Sequence, residues 1–139
     1  MKDKSVCVFL VCLIWSPLLP REKRHPHPEL CELKTAFISG NSESATKVRQ
    51  ELEKRTWLRL VGSADKADAT LDVSETRSEK NFPIRTEQTT VSATLTRNST
   101  KEVVWSGSAS FGEGVVNSGA GSAVKIVLGH LSREAGCKE

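Results

Sequence analysis

Tyrosine is absent, methionine occurs once, at position 1, and aromatic residues make up only 5% of the 139-residue chain. A core must therefore be built from Val, Leu, Ile and Ala around Trp57, Trp105 and a few Phe. A surplus of one charge is lacking too: 20 Lys and Arg against 17 Asp and Glu leave a formal net charge of +3. That balance argues against the clustered basic surface on which electrostatic nucleic-acid binding depends, so no nucleic-acid partner is expected. Apolar residues, at 37% without Gly, are fewer than in an average globular chain. No glycine repeat, heptad pattern, set of spanning segments or dense cysteine framework is present, which excludes collagen, coiled coils, multi-span membrane proteins and disulfide scaffolds. The length suits one modest domain.

What is present begins with a charged start, Met1-Lys2-Asp3-Lys4, followed by the unbroken apolar run VCVFLVCLIW at residues 6–15. This is shorter than the about 20 residues of a membrane-spanning helix and suits the apolar region of an export signal. No small-x-small cleavage site follows it, and Arg21, Lys23 and Arg24 place positive charge behind it, against the direction of export. Residues 1–20 are thus read as a signal peptide or an uncleaved N-terminal anchor, with any membrane contact confined to residues 5–19. Cys12 follows Phe9-Leu10-Val11 rather than a small residue, so a lipidation box is not supported. Residues 21–32 carry Pro26 and Pro28, which remove backbone donors and restrict their neighbours, and are expected to form an extended linker. His25, His27 and Cys31 in that stretch have too little geometry for a metal site; no metal is assigned.

Cys7 and Cys12 lie in the apolar run. Cys31 and Cys137 flank the rest, and an even pair in an exported chain is a disulfide candidate, closing a loop of about a hundred residues. The alternative is two separate thiols in a reducing compartment.

The folded unit is placed at residues 33–139. Residues 35–39 (TAFIS) read as a strand ended by Gly40-Asn41. Ser42 or Ser44 caps a helix running through Arg55, with Ala45, Val48 and Leu52 on one stripe. Residues 57–61 (WLRLV) form a second strand, residues 64–68 a polar turn or one helical turn, and residues 70–77 a third strand. A loop is expected at 78–87. Residues 88–97 alternate most cleanly: Val91, Ala93 and Leu95 point one way, Thr90, Ser92, Thr94 and Thr96 the other. After the turn at Asn98-Ser99-Thr100 the chain returns with Val103, Trp105, Ala109 and Phe111 expected inward and Ser106, Ser108 and Ser110 outward. Residues 119–135 form a final helix with the stripe Ala120, Ala123, Val124, Val127, Leu128, Leu131 and Ala135. The order β-α-β-β-β-β-α implies an α+β two-layer sandwich: a mixed sheet of four to five strands, two helices on one face, and an open Ser/Thr-rich face.

The opening strand and helix, residues 57–61, ADATLDV at 67–73, VSATL at 91–95, VVWSGSAS at 103–110 and the Gly/Ser/Ala-rich lead into the last helix together resemble a group of bacterial envelope domains. That group comprises the curli-secretion lipoprotein CsgG, the LpoB-type activators of penicillin-binding proteins and the amino-terminal domain of TolB. The resemblance covers residues 35–135 and implies a periplasmic or surface-exposed, non-enzymatic domain. It transfers no site residues, because the group shares architecture rather than a catalytic motif.

Catalytic constellations are missing from the pattern. The glycine-rich loop from Gly112 to Gly121 lacks the third glycine of a dinucleotide fingerprint and the Gly-Lys-Ser/Thr of a P-loop, and no strand follows to complete a βαβ unit. Asp65, Asp68 and Asp72 lack calcium-loop spacing. His130 has no acid or nucleophile at recognisable spacing, and no Ser sits in a nucleophile elbow. Asn98-Ser99-Thr100 is a formal glycosylation sequon in a turn. The expectation is a non-catalytic, cofactor-free exported envelope protein that binds a protein partner through Thr90, Ser92, Thr94, Thr96, Ser106, Ser108 and Ser110 or through an exposed edge strand. The competing expectation is a small-ligand-binding protein or hydrolase using the 112–121 loop.

Overall fold

The computed structural model describes residues 27–80, 86–112 and 119–137. The signal-like segment, His25 and residues 113–118 of the glycine-rich loop lie outside the described residues. The elements are α1 (Pro28–Glu32), β1 (Thr35–Ser39), α2 (Glu43–Leu52), β2 (Arg59–Leu60), a short 3-10 turn (Ala64–Lys66), β3 (Ala69–Lys80), β4 (Thr86–Arg97), β5 (Val103–Gly112) and α3 (Gly119–Ala135). The fold is α+β, with one five-stranded mixed sheet in the order β2-β1-β3-β4-β5. β1 pairs in parallel with β2 and β3, while β3-β4 and β4-β5 are antiparallel.

Alternation decides which sheet face is covered. Ala36 and Ile38 of β1, Ala69, Leu71 and Val73 of β3, Val91, Ala93 and Leu95 of β4, and Trp105 of β5 are all buried on one side. The stripes of α2 (Ala45, Val48, Leu52) and α3 (Ala123, Val124, Val127, Leu128, Leu131, Ala135) close over them. Both helices therefore lie on the same face, as their single apolar stripes require.

Local chemistry sets the element ends. Ser42 Oγ accepts from the Ala45 N–H and caps α2. Gly40 has φ +110°, and a Cβ there would stand 2.9 Å from the carbonyl oxygen of Val73, so only glycine fits the exit of β1. Arg49 of α2 reaches back to donate to the carbonyls of Ile38 and Gly40 at 3.1 and 3.0 Å. This ties the helix to the end of the strand it follows.

Four expectations need correction. Within the expected extended linker, Pro28–Glu32 is a short helix with Pro at its start, a position that tolerates the missing donor, and its Leu30 is fully buried in the core; residues 21–26 lie outside the described residues. Only Arg59–Leu60 of the second strand pairs, because β1, itself five residues long, offers it only Thr35 and Ala36 as partners. β3 and β4 run into the expected 78–87 loop, pairing out to Lys80 and Thr86; residues 81–85 lie outside the described residues. Finally, Val103 and Phe111 are not buried; they are 60% and 37% exposed. A register shift between Leu95 and Thr96 leaves Val104 without an opposite residue and sets Val103 against Thr96 on the outer face. Phe111 keeps the helix side, opposite buried Thr89, but lies near the end of β5, which among the described residues has no strand on its other flank.

Cys31 of α1 and Cys137, just past α3, are joined by a disulfide, with their Cα atoms 5.5 Å apart. The same junction is held by the His27 N–H donating to the Glu134 carbonyl and by Trp105 Nε1 donating to Glu134 Oε2, both at 2.8 Å.

Candidate interaction surface

The sheet face opposite the helices is a lattice of small polar side chains, placed by the two antiparallel registers. Asp72, Thr94 and Ser106 form one row, Ser74, Ser92 and Ser108 the next, and Thr76, Thr90 and Ser110 a third. Thr70 and Thr96 extend the array at one end. Neighbouring strands are about 4.8 Å apart and like-facing residues along a strand about 7 Å apart, so the hydroxyls repeat on a near-regular grid. Ser74, Thr76, Ser106, Ser108 and Ser110 are exposed, and Thr90, Ser92, Thr94 and Thr96 are half-buried by their neighbours. Thr90 and Ser110 share a hydrogen bond of 2.7 Å across the strands. All the hydroxyl residues singled out from the sequence thus fall on one surface, on adjacent strands. That β3 would add Asp72, Ser74 and Thr76 to them could not be read along the chain, because the order of strands in space is not written in the alternation.

This array is neutral apart from Asp72 and, among the described residues, without a convergent set of titratable groups. It can offer hydroxyl donors and acceptors to a partner; nothing in its arrangement activates a nucleophile. The other candidate residues are dispersed. Asp65 lies exposed on the 3-10 turn, beside a cleft of about 450 Å³ that Thr70, Asn98 and Lys101 also line. Asp68 is a structural clasp: its Oδ2 accepts from the N–H groups of Lys34 and Thr35 and from the Thr35 hydroxyl at 2.9–3.0 Å. The Lys34 N–H, then the hydroxyl and N–H of Thr35, hold the Asp68 carboxyl below its ordinary pKa. His130 sits half-buried on α3 and His27 is exposed ahead of α1. Among the described residues no three His, Cys, Asp or Glu side chains come together as a metal site.

Two structural roles were not visible in the sequence. Asn98, read as the acceptor of a sequon, spends its amide inside the fold: Nδ2 donates to the Ala64 and Ala67 carbonyls and Oδ1 accepts from the Thr70 hydroxyl. Glu75 on β3 caps α2 from outside the helix, accepting from the N–H and hydroxyl of fully buried Ser44 at 3.1 and 2.7 Å. Burial raises the Glu75 carboxyl pKa, but the bonds from Ser44 and from Arg77 outweigh it and the net shift is downward. A Glu in an alternating strand carries no sequence signal that a helix start will land beside it.

No protein-family model matches the chain, and no curated protein matches it. Solved structures do share its architecture. An uncharacterized lipoprotein B from Nitrosomonas europaea superposes with a TM-score of 0.57 at 11% identity, over 76% of this chain and 86% of that one. PelC from Paraburkholderia phytofirmans, solved as a dodecamer, gives 0.51 at 17% identity, over 68% and 84%. A hypothetical protein from Chlamydia trachomatis gives 0.51 at 7% identity, over 74% and 96%. At these identities the likeness establishes the fold: the chain has the architecture of these bacterial proteins, a lipoprotein among them.

Proposed function

We propose that this chain is a non-catalytic, exported protein of the bacterial cell envelope that acts as a protein-binding or assembly module. The observation that carries the reading is the bare hydroxyl lattice. Three long strands present Asp72, Ser74, Thr76, Thr90, Ser92, Thr94, Ser106, Ser108 and Ser110 on one sheet face, while both long helices pack on the other side. A polar face spread over three strands supports a macromolecular contact better than a small-molecule site, which is concave and mostly apolar.

Three further features support it. The apolar run at residues 6–15 suits export, a disulfide between Cys31 and Cys137 suits an oxidising compartment, and a lipoprotein shares the fold. The sequence resemblance to the CsgG, LpoB and TolB amino-terminal domains points to the same setting. Any membrane attachment runs through the N-terminal segment; among the described residues no helix is long and apolar enough to cross a membrane.

The test has two arms. Fractionation with N-terminal sequencing reads compartment and cleavage. Photo-crosslinking from a reactive residue at Ser74 or Ser92, in cells, reads the partner surface. The reading expects an envelope fraction and a discrete crosslinked protein from either position, lost when the neighbouring Thr90 and Ser108 of the same face are replaced by Lys. A cytoplasmic chain, or crosslinks that do not change when Thr90 and Ser108 become Lys, overturns it.

A further inference from the structure

We infer that β5 is a self-pairing edge: two copies of the chain join β5 to β5, antiparallel about a two-fold axis, into one continuous ten-stranded sheet. The inference rests on the binding-module reading above in that it gives the module a partner, a second copy of itself. Four observations converge on this edge.

The first is backbone. Among the described residues β5 is the last strand of the sheet, and it runs ten residues, Val103–Gly112, without one charged residue or proline. Edge strands ordinarily carry Lys, Pro or inward charges against such pairing. The one irregularity, at Val104, lies at its start and leaves residues 105–112 regular. The second is inequality of the two edges. β2 pairs over only Arg59 and Leu60, too short to receive β5, so head-to-tail growth is disfavoured and the matching edge is another β5.

The third is the apolar fringe. Among the described residues three large hydrophobic side chains are exposed: Val103, Phe111 and Ile126. Two belong to β5. The third lies on the β5 flank of α3, because Glu134 of that helix bonds Trp105 of β5 while Ser132 bonds Arg55, just past the end of α2. At about 100° per residue, Ile126 stands about 80° from Glu134 and about 120° from Ser132 around the axis. Val103 and Phe111 thus stand at the two ends of this edge, and Ile126 is exposed on the helix that packs on it. The fourth is size. Eight residues of regular strand span about 27 Å, and sheet plus helix layer give a wall about 20 Å high, so the joint buries on the order of 1,100 Å² in total. That clears the about 1,000 Å² expected of a specific interface and sits in the weak, reversible class.

Residues that face each other across a pair share a sheet face, so a two-fold centred on Gly107 sets Ser106 opposite Ser108 of the second copy and Trp105 opposite Ala109. Small side chains at the centre leave the strands free to close to pairing distance.

The test is sedimentation of the full chain in a mild non-ionic detergent over a concentration series, with hydrogen exchange read at residues 105–111. The wild type is expected to form a reversible dimer and to gain protection in β5 as concentration rises. The double variant S106K/S108K puts two like charges opposite each other twice and is expected to weaken the dimer at least tenfold. S74K, on β3 in the middle of the face, is expected to leave it unchanged, and unaltered thermal midpoints show that all three fold. A monomer at 100 μM (about the top of the series), or a dimer indifferent to S106K/S108K, overturns the proposal. The failures are distinguishable: an envelope partner crosslinked from Ser74 or Ser92 without a dimer overturns β5 pairing alone, and a β5 dimer without any such partner overturns the hydroxyl-face contact alone.

Discussion

Gly107 gives a prediction in which two physical arguments have opposite signs. Glycine in a strand interior is less favourable than alanine by about 0.5–1 kcal/mol, because it loses more backbone freedom on folding. On propensity alone Gly107→Ala stabilises the protein. The structure says the reverse. A Cβ built at position 107 would stand 2.6 and 2.7 Å from Cζ2 and Cη2 of Trp105, whose ring lies along the strand over the missing side chain. That ring is 5% exposed, and its Nε1 donates to Glu134 Oε2 at 2.8 Å. It cannot move aside without leaving the core and stretching the bond. Overpacking of this kind costs about 1–3 kcal/mol, and a weakened hydrogen bond adds about 1 kcal/mol. Set against the propensity gain, the net expectation is a destabilisation of about 2 kcal/mol. For a domain of this size the thermal midpoint falls by about 6–10 °C. Urea unfolding followed by far-ultraviolet circular dichroism measures it, and a double-mutant cycle with Trp105→Leu isolates the contact. In the Trp105→Leu background the alanine penalty should shrink to near zero or reverse. A neutral or stabilising Gly107→Ala in the wild type, or an undiminished penalty once the indole is gone, refutes the reasoning.

Two carboxylates, one turn residue and the disulfide each carry a further expected outcome. Glu75→Gln removes the charge at the start of α2 and is expected to cost about 1 kcal/mol at pH 7, read by the same urea titration. The carboxyls of Glu75 and Asp68 have folded pKa values below their ordinary ones, 4.5 and 3.8. Their contribution is therefore full above pH 4.5 and is lost as pH falls through the lowered values, so the unfolding midpoint should drop below pH 4.5, and drop less in Glu75→Gln. Lys101 holds φ at +62° in the β4-β5 turn, a conformation that disfavours residues with a Cβ. Lys101→Gly is expected to raise stability by about 0.5–1 kcal/mol in thermal denaturation. The Cys31–Cys137 bond spans a separation of 106 residues, for which the chain-entropy model gives up to about 4.7 kcal/mol. Replacing both cysteines by Ser should lower the unfolding free energy by about 2–5 kcal/mol, and reductant should do the same to the wild type alone.

The alternation of Val91, Ala93 and Leu95 with Thr and Ser, the stripes of α2 and α3, and the Ser42 cap were all legible along the chain, because each depends on spacing within one element. So was the two-layer class, since two one-sided helices and a half-polar sheet have few ways to bury their apolar sides. The hydroxyl residues of β4 and β5 were legible for the same reason. What the chain could not show was anything that depends on neighbours in space. The inward placement expected of Val103 failed on a one-residue register shift, which alternation alone cannot reveal because it arises from pairing. Asp72, Ser74 and Thr76 joined the surface only when β3 was placed beside β4, and Glu75 and Asp68 became clasps only when a helix start and a strand start met them. By itself, then, the sequence determined the five strands and two long helices, most of their buried faces and a lean core of Val, Leu and Ala, because hydrophobic periodicity is local. The tertiary structure decided which strand is the bare edge, which side chains form one lattice and where the tryptophan ring lies, because strand order and register are settled by packing between distant parts of the chain.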